Sequence, residues 1–358
     1  MLPCLLLLLS LTIFLLPSPA SPTKTPLLPI NFPDPTLVQD PLTGTWYAFG
    51  TGSFTPNSTT PAFRNIQAAL SLSPSENPLA GPWTYLPTID LLPNPGPWTA
   101  GPGSQTWAPS VVRLNDTAWV LYYAGQMGGN NSAFHCIGAA TADSVLGPYT
   151  PLPEPLACPL DRGGAIDPAG FLDPATGRRW VVYKVDGNSM GSGGECGNGV
   201  EPGRATPILL QEVDDQDGVT LVGEPLEILD REAAVDGPLV EAPELFFARP
   251  ESQPDGRGRY VLFYSNHCWD DPGYSVNYAV GEVGGGVAGP YRRSGSNPLV
   301  GTGDAFNITA PGGAAVVASQ PGNGGGGGGW MVFHGDCAQG RCLYGAEMVV
   351  LGETVVAS

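Results

Sequence analysis

One unit of sequence recurs five times along this chain, and no other feature constrains the fold as tightly. The unit is a proline, a short apolar run, a turn, and an aromatic-rich stretch of strand character. The first copy runs from Asp34-Pro35-Thr36-Leu37-Val38 to Trp46-Tyr47-Ala48-Phe49, and the second from Ala108-Pro109-Ser110-Val111-Val112 to Trp119-Val120-Leu121-Tyr122. The third pairs Asp167-Pro168-Ala169-Gly170-Phe171 with Trp180-Val181-Val182-Tyr183, and the fourth pairs Ala242-Pro243-Glu244-Leu245-Phe246 with Tyr260-Val261-Leu262-Phe263. The fifth is anchored at Pro311-Gly312-Gly313 and continues, after a glycine-rich loop over residues 324–329, with Trp330-Met331-Val332-Phe333. A second motif falls between the anchors: a small-residue strand that ends in Gly81-Pro82-Trp83, Gly147-Pro148-Tyr149 or Gly289-Pro290-Tyr291.

Each unit therefore holds about four strands. Repeated four-stranded units that cannot bury both faces alone stack around a ring, so the expected fold is all-β, a five-bladed β-propeller over residues 30–358. Composition agrees. Charged residues are only 13% of the chain, too few for the solvated faces of long helices, while 50 glycines and 39 prolines supply turns. A β-sandwich is the competing architecture, but it does not explain five hairpins in register.

Residues 5–16 form an apolar run too short to span a bilayer, followed by Ser18-Pro19-Ala20 with cleavage-site spacing. Residues 1–20 read as a secretory signal peptide and 21–29 as a Pro-rich leader, so a secreted, extracellular protein is expected. Six cysteines follow, an even number that allows three disulfides in fifteen pairings. Cys337 with Cys342 is a local loop, and Cys136 with Cys158 and Cys196 with Cys268 are the pairings chosen for the rest. Sequons at Asn57, Asn115, Asn130 and Asn307 suit a glycoprotein. The net charge of −18 repels phosphate backbones and anionic membranes, leaving neutral polymers such as polysaccharides as partners; a monomer is expected.

The anchors carry the chemistry. Inner strands of a propeller start at one end of the central channel, so equivalent positions converge there. Asp34 and Asp167 each precede an anchor proline, and Trp107 and Glu241 each stand two residues before one. Three carboxylates and an aromatic face in one funnel suit glycoside hydrolysis, which needs an acid and a base or nucleophile. A third carboxylate keeps the acid protonated by like-charge repulsion. Glu244 lies past its proline, on the strand, and is read as outside this set. His135 and His267 adjoin cysteines and read as structural.

With these residues in place, the chain resembles the family 43 glycoside hydrolases, the fungal arabinanase, arabinofuranosidase and β-xylosidase group. Asn31-Phe32-Pro33-Asp34-Pro35, Trp107-Ala108-Pro109, Ala165-Ile166-Asp167-Pro168 and Val240-Glu241-Ala242-Pro243 carry the likeness. It implies an inverting hydrolase of arabinose- or xylose-containing plant polysaccharides, with Asp34 as general base, Glu241 as general acid and Asp167 tuning the acid. Trp107, with Asp186 and Asn188 in the polar run after blade three's second strand, would contact substrate. No cofactor is required; some relatives hold a structural calcium at the propeller centre, where His334 would be a ligand. Members often carry a histidine inside the fifth anchor, and Gly312-Gly313 departs from that. A non-catalytic carbohydrate-binding propeller and a retaining fructosyl hydrolase on a similar fold are the alternatives.

Overall fold

The computed structural model describes residues 25–56, 62–72, 77–249, 253, 255–319 and 328–358. The signal segment, the start of the leader, Asn57 and most of the glycine-rich loop lie outside the described residues. Five antiparallel four-stranded sheets make five blades. Their inner strands are Thr36–Gln39, Thr106–Arg113, Ala165–Leu172, Val240–Ala248 and Gly312–Ala318. Each blade runs in chain order from the axis outward, as the repeat requires. The core lies between blades: Val120, Tyr122, Val181 and Tyr183 pack blade two on blade three, and Phe263, Tyr278, Met331 and Tyr344 pack four on five. Leu27 and Leu28, at the end of the expected leader, bond to the backbone of Leu343, so the N-terminal segment lies along blade five.

The anchor proline has a physical reason. In blades two, four and five the inner strand slips register against its neighbour, between Trp107 and Ser110, Glu241 and Glu244, and Gly312 and Ala315. Blade three slips at the matching place, across Val182 and Lys184. A bulge leaves one residue outside the ladder, and proline, with no N–H to donate, suits that place. The residue at the bulge takes a positive φ in every blade: 51° at Asp34, 42° at Ala108, 56° at Asp167, 48° at Ala242 and 59° at Gly313.

This series corrects the fifth anchor. The equivalent of Asp34 and Asp167 in blade five is Gly313, followed by Ala314, and Pro311 stands before the bulge. The repeat had been extended on proline alone, whereas the bulge is defined by backbone conformation, which glycine adopts without proline.

The three expected disulfides are formed: Cys136–Cys158, Cys196–Cys268 and Cys337–Cys342. Among the described residues, no helix is long and apolar enough to cross a membrane.

Candidate active site

The bulges aim their side chains at one end of the axis, where a cavity of about 310 Å³ opens. Asp34, Asp167, Glu241 and Trp107 line it together, as expected from the repeat, along with Ile166, Trp269, Tyr274 and Arg341. Four of the non-glycine residues with positive φ stand at these bulges. Such strain is held by surrounding structure and clusters where side chains must be re-aimed.

Asp34 is surrounded by donors. Thr51 Oγ1 donates to its Oδ2 at 2.6 Å, and Arg341 Nη1 stands 3.3 Å from Oδ1. The Asp34 amide donates to His334 Nδ1 at 3.1 Å. Burial pushes this carboxyl up, but Arg341, His334 and Thr51 outweigh it and hold it well below the usual carboxylate range. Asp34 is therefore ionised at any working pH.

Asp167 is treated in the opposite way. Burial and the neighbouring Glu241 charge raise it well above the usual range, against the pull of Lys184 and of the Ala242 amide, which donates to Oδ2 at 2.9 Å. Asp167 thus holds its proton over a range where Asp34 does not.

Glu241 is buried and gripped at both oxygens: Tyr274 donates its hydroxyl to Oε1 at 2.9 Å, and Lys184 Nζ donates to Oε2 at 3.1 Å. Blade five explains how Tyr274 and His334 reach the funnel. A Cβ on Gly312 would lie 2.0 Å from the Tyr274 ring, and one on Gly313 would lie 2.8 Å from His334. The two glycines make room at positions that carry side chains in the other blades. Tyr274 and His334 stack over one another, with ring centres 5.7 Å apart.

Asp186 and Asn188, expected to contact substrate, are not among the residues that line this cavity. Asp186 is buried and pairs with Lys184 at 3.1 Å. Asn188 lies in the turn Gly187–Met190, its amide turned 3.4 Å from the Cys196 carbonyl. His135 is buried and stacks on Trp107 with ring centres 3.7 Å apart, so it backs the aromatic wall.

His334 is fully buried, and its Nε2 has no protein partner. It fits a cation as a single ligand, with oxygen from water filling the shell. That requires the tautomer with the proton on Nδ1, shared with Asp34 Oδ1 at 3.3 Å. The acceptor geometry toward the Asp34 amide favours the other tautomer, in which Nε2 carries the proton and bonds water.

Lys184, Tyr274, Trp269 and Arg341 were missed from sequence. For Lys184 a signal existed: the chain has two lysines, and this one interrupts the apolar strand Arg179–Val185. Trp269 and Arg341 each adjoin a disulfide cysteine, and Arg341 lies over the Trp269 ring at 4.8 Å.

Comparison with known proteins agrees with this geometry. A thermostable family-43 glycoside hydrolase of known crystal structure superposes with a TM-score of 0.69 at 20% identity, covering 94% of this chain and 96% of the other. An exo-1,5-alpha-L-arabinanase from a bovine ruminal metagenomic library gives 0.58 at 21% identity, covering 91% and 96%. A β-xylosidase/α-arabinofuranosidase from a compost microbial metagenome gives 0.60 at 19%, covering 94% and 97%. At these identities the likeness concerns the fold. A curated relative from Emericella nidulans, described as a probable arabinan endo-1,5-alpha-L-arabinosidase D, is 36% identical over 115 residues, which are 29% of this chain and 29% of that protein. The family model of the glycosyl hydrolases family 43 matches residues 26–352, nearly the whole described propeller, and the chain belongs to that family.

Proposed function

We propose that the protein is a secreted inverting glycosidase acting on arabinose- or xylose-containing plant polysaccharides, with arabinan-type substrates preferred. The observation that carries this reading is the opposite treatment of carboxylates in one cavity. Asp34 is held ionised by Arg341, His334 and Thr51, while burial and the neighbouring Glu241 charge push Asp167 well above the usual carboxylate range. Two carboxyl sites pushed apart in this way are what an acid and a base need at one pH.

In this reading a pentose ring lies between the Trp107 and Trp269 faces, with its scissile bond at Glu241. Asp34 takes a proton from water as the water oxygen bonds to the anomeric carbon. The bond to the leaving oxygen breaks, and Glu241 gives that oxygen its proton. Asp167 keeps the acid loaded. A cation on His334 would supply positive charge beside Asp34, but it would need the Nδ1-protonated tautomer, which the contact from the Asp34 amide disfavours. Three disulfides support export to an oxidising compartment.

The arabinan preference rests on the likeness to the Emericella nidulans relative, described as a probable arabinanase, and to the ruminal arabinanase. A hydrolysis panel tests it: linear arabinan, branched arabinan, arabinoxylan and the two nitrophenyl pentosides. Release from an arabinan first and fastest supports the reading. Cleavage of arabinoxylan and the β-xyloside alone overturns the preference, and no hydrolysis at all overturns the function.

A further inference from the structure

Lys184 is fully buried, does not line the cavity, and is absent from the mechanism above. It sits at the register slip between blade three's first two strands, which turns its side chain toward the axis. Nζ stands 3.1 Å from Asp186 Oδ1 and 3.1 Å from Glu241 Oε2. A lone buried ammonium is costly, so a chain with only two lysines keeps one here against that cost.

Hydrogen-bond chemistry states what Lys184 does to Glu241. An ammonium has three donors and no acceptor, so the Glu241 oxygen facing it serves as the acceptor, and the acidic hydrogen is favoured on the other oxygen. The other oxygen, Oε1, faces the Tyr274 hydroxyl at 2.9 Å. A phenol both donates and accepts, so Oε1 is free to carry the acidic hydrogen. Tyr274 lines the cavity and Lys184 does not, so Oε1 is on the substrate side. We propose that Lys184 is a positioning residue for the acid: by occupying Oε2 it assigns the transferable proton of Glu241 to Oε1 and turns that oxygen toward the leaving group.

The charges around it are consistent. Burial lowers the Lys184 pKa, but Asp186, Glu241 and Asp167 more than restore it, so the ammonium stays charged. Asp186 comes from the end of its own strand, Glu241 from the inner strand of blade four and Asp167 from that of blade three. Across the cavity stand Asp34 with Arg341 and the buried His334, and His135 is on the Asp186 side.

The inference rests on Glu241 being the acid, and the experiment separates the two. Glu241→Ala, Lys184→Met and Asp186→Asn are assayed on the oligosaccharide that the wild type cleaves and on its nitrophenyl pentoside, across pH. Glu241→Ala should lose far more on the oligosaccharide, whose leaving oxygen needs a proton; equal losses overturn the acid assignment itself. With that satisfied, Lys184→Met should lose about 10-fold to 100-fold in kcat on the oligosaccharide, part of what general acid catalysis supplies. It should change little on the aryl substrate. Its basic limb should move up, because a cation beside the acid has gone. Asp186→Asn should move that limb down, because an anion has gone. A merely structural lysine gives equal losses on both substrates and leaves the limb in place, which overturns the proposal. If circular dichroism finds Lys184→Met unfolded, Asp186→Asn decides: a limb that stays or rises overturns it.

Discussion

The backbone amide of Ala242 donates to Asp167 Oδ2 at 2.9 Å, so the residue that follows Glu241 in the chain is tied to the carboxyl that repels it. Blades three and four meet through this bond. The positive φ at Ala242 aims the amide, and the one at Asp167 aims the carboxyl. Glu241 and Asp167, proposed as the acid and its tuning group, are thereby fixed by backbone geometry at two equivalent bulges.

From this pair follows a pH prediction. Asp167→Asn removes a negative neighbour, so the acid should lose its proton more easily and the basic limb of kcat/KM should move to lower pH. The same change affects stability. A carboxyl whose folded pKa is raised stabilises the fold only while protonated, and that contribution fades as pH rises from the unfolded value toward the folded one. Asp167→Asn should therefore melt a few degrees higher than wild type at neutral pH while being less active. A basic limb that stays in place or rises, or a lower melting temperature, would count against the tuning role.

Glu244 gives a cleaner stability test, because it lies in the axial channel with Thr36, Ser110 and Ala315 and does not line the cavity that holds Glu241 and Trp107. Burial pushes its pKa up to about 8, and only a Val316 backbone contact opposes this. In the unfolded chain it titrates near ~4.3. The folded protein thus holds the proton longer, and stability falls as pH rises between those values. Glu244→Gln should match wild type in thermal melts near pH 4, exceed it increasingly up to pH 8, and keep kcat. Parallel melting curves at all pH values would remove the buried-acid account.

The propeller and the convergence of the anchor residues on one cavity were legible because each rests on a repeated local rule. Asp34, Asp167, Trp107 and Glu241 sit at fixed offsets from a bulge, and the bulge leaves a proline in the sequence. The fifth anchor was misread because Gly313 meets the same backbone requirement with no proline to mark it. Tyr274, Trp269 and Arg341 were hidden for another reason. Trp269 and Tyr274 come from the loop between two strands of blade four, and Arg341 from the start of blade five's third strand, beside the tight turn closed by Cys337–Cys342, so no anchor register points to them. Asp186 stands in the polar run after blade three's second strand, which is all that the sequence shows of it. Only the structure reveals that its charge is spent on Lys184.

Trp269 belongs to the wall that loops build. It is 47% exposed, follows Cys268 in the chain, and supports Arg341, which reaches Asp34. The Cys196–Cys268 disulfide ties its loop to the turn after blade three's second strand. Trp269→Ala should raise KM about fivefold, the equivalent of losing about 1 kcal/mol of aromatic contact, with a smaller change in kcat. Replacing both Cys196 and Cys268 by Ser should raise KM in the same direction, because the wall is then untethered. Steady-state kinetics on the oligosaccharide read both. A KM unchanged in either variant would mean that the wall does not touch substrate.

The stereochemical outcome decides between the inverting reading and a retaining fructosyl-type alternative. Asp34 and Glu241 come from blades one and four, and different partners hold them: Arg341, Thr51 and His334 around the first, Lys184 and Tyr274 around the second. A base fully ionised beside a cation suits the deprotonation of water. An inverting pair stands roughly 6.5–9.5 Å apart to leave room for that water, whereas a nucleophile and its acid stand about 5–5.5 Å apart. Proton NMR of the first product, recorded before mutarotation, should show the anomer opposite to that of the substrate. Asp34→Ala should lose nearly all activity, a fall of at least about 100-fold, since general base catalysis is removed entirely. Added azide should not restore turnover with retained configuration, because Asp34 activates water and forms no bond to the sugar. Glu241→Ala should keep more activity on substrates with good leaving groups, which need little protonation. If the retained anomer forms first, Asp34 is a nucleophile and the roles assigned to both carboxyls must be exchanged for those of a double-displacement enzyme.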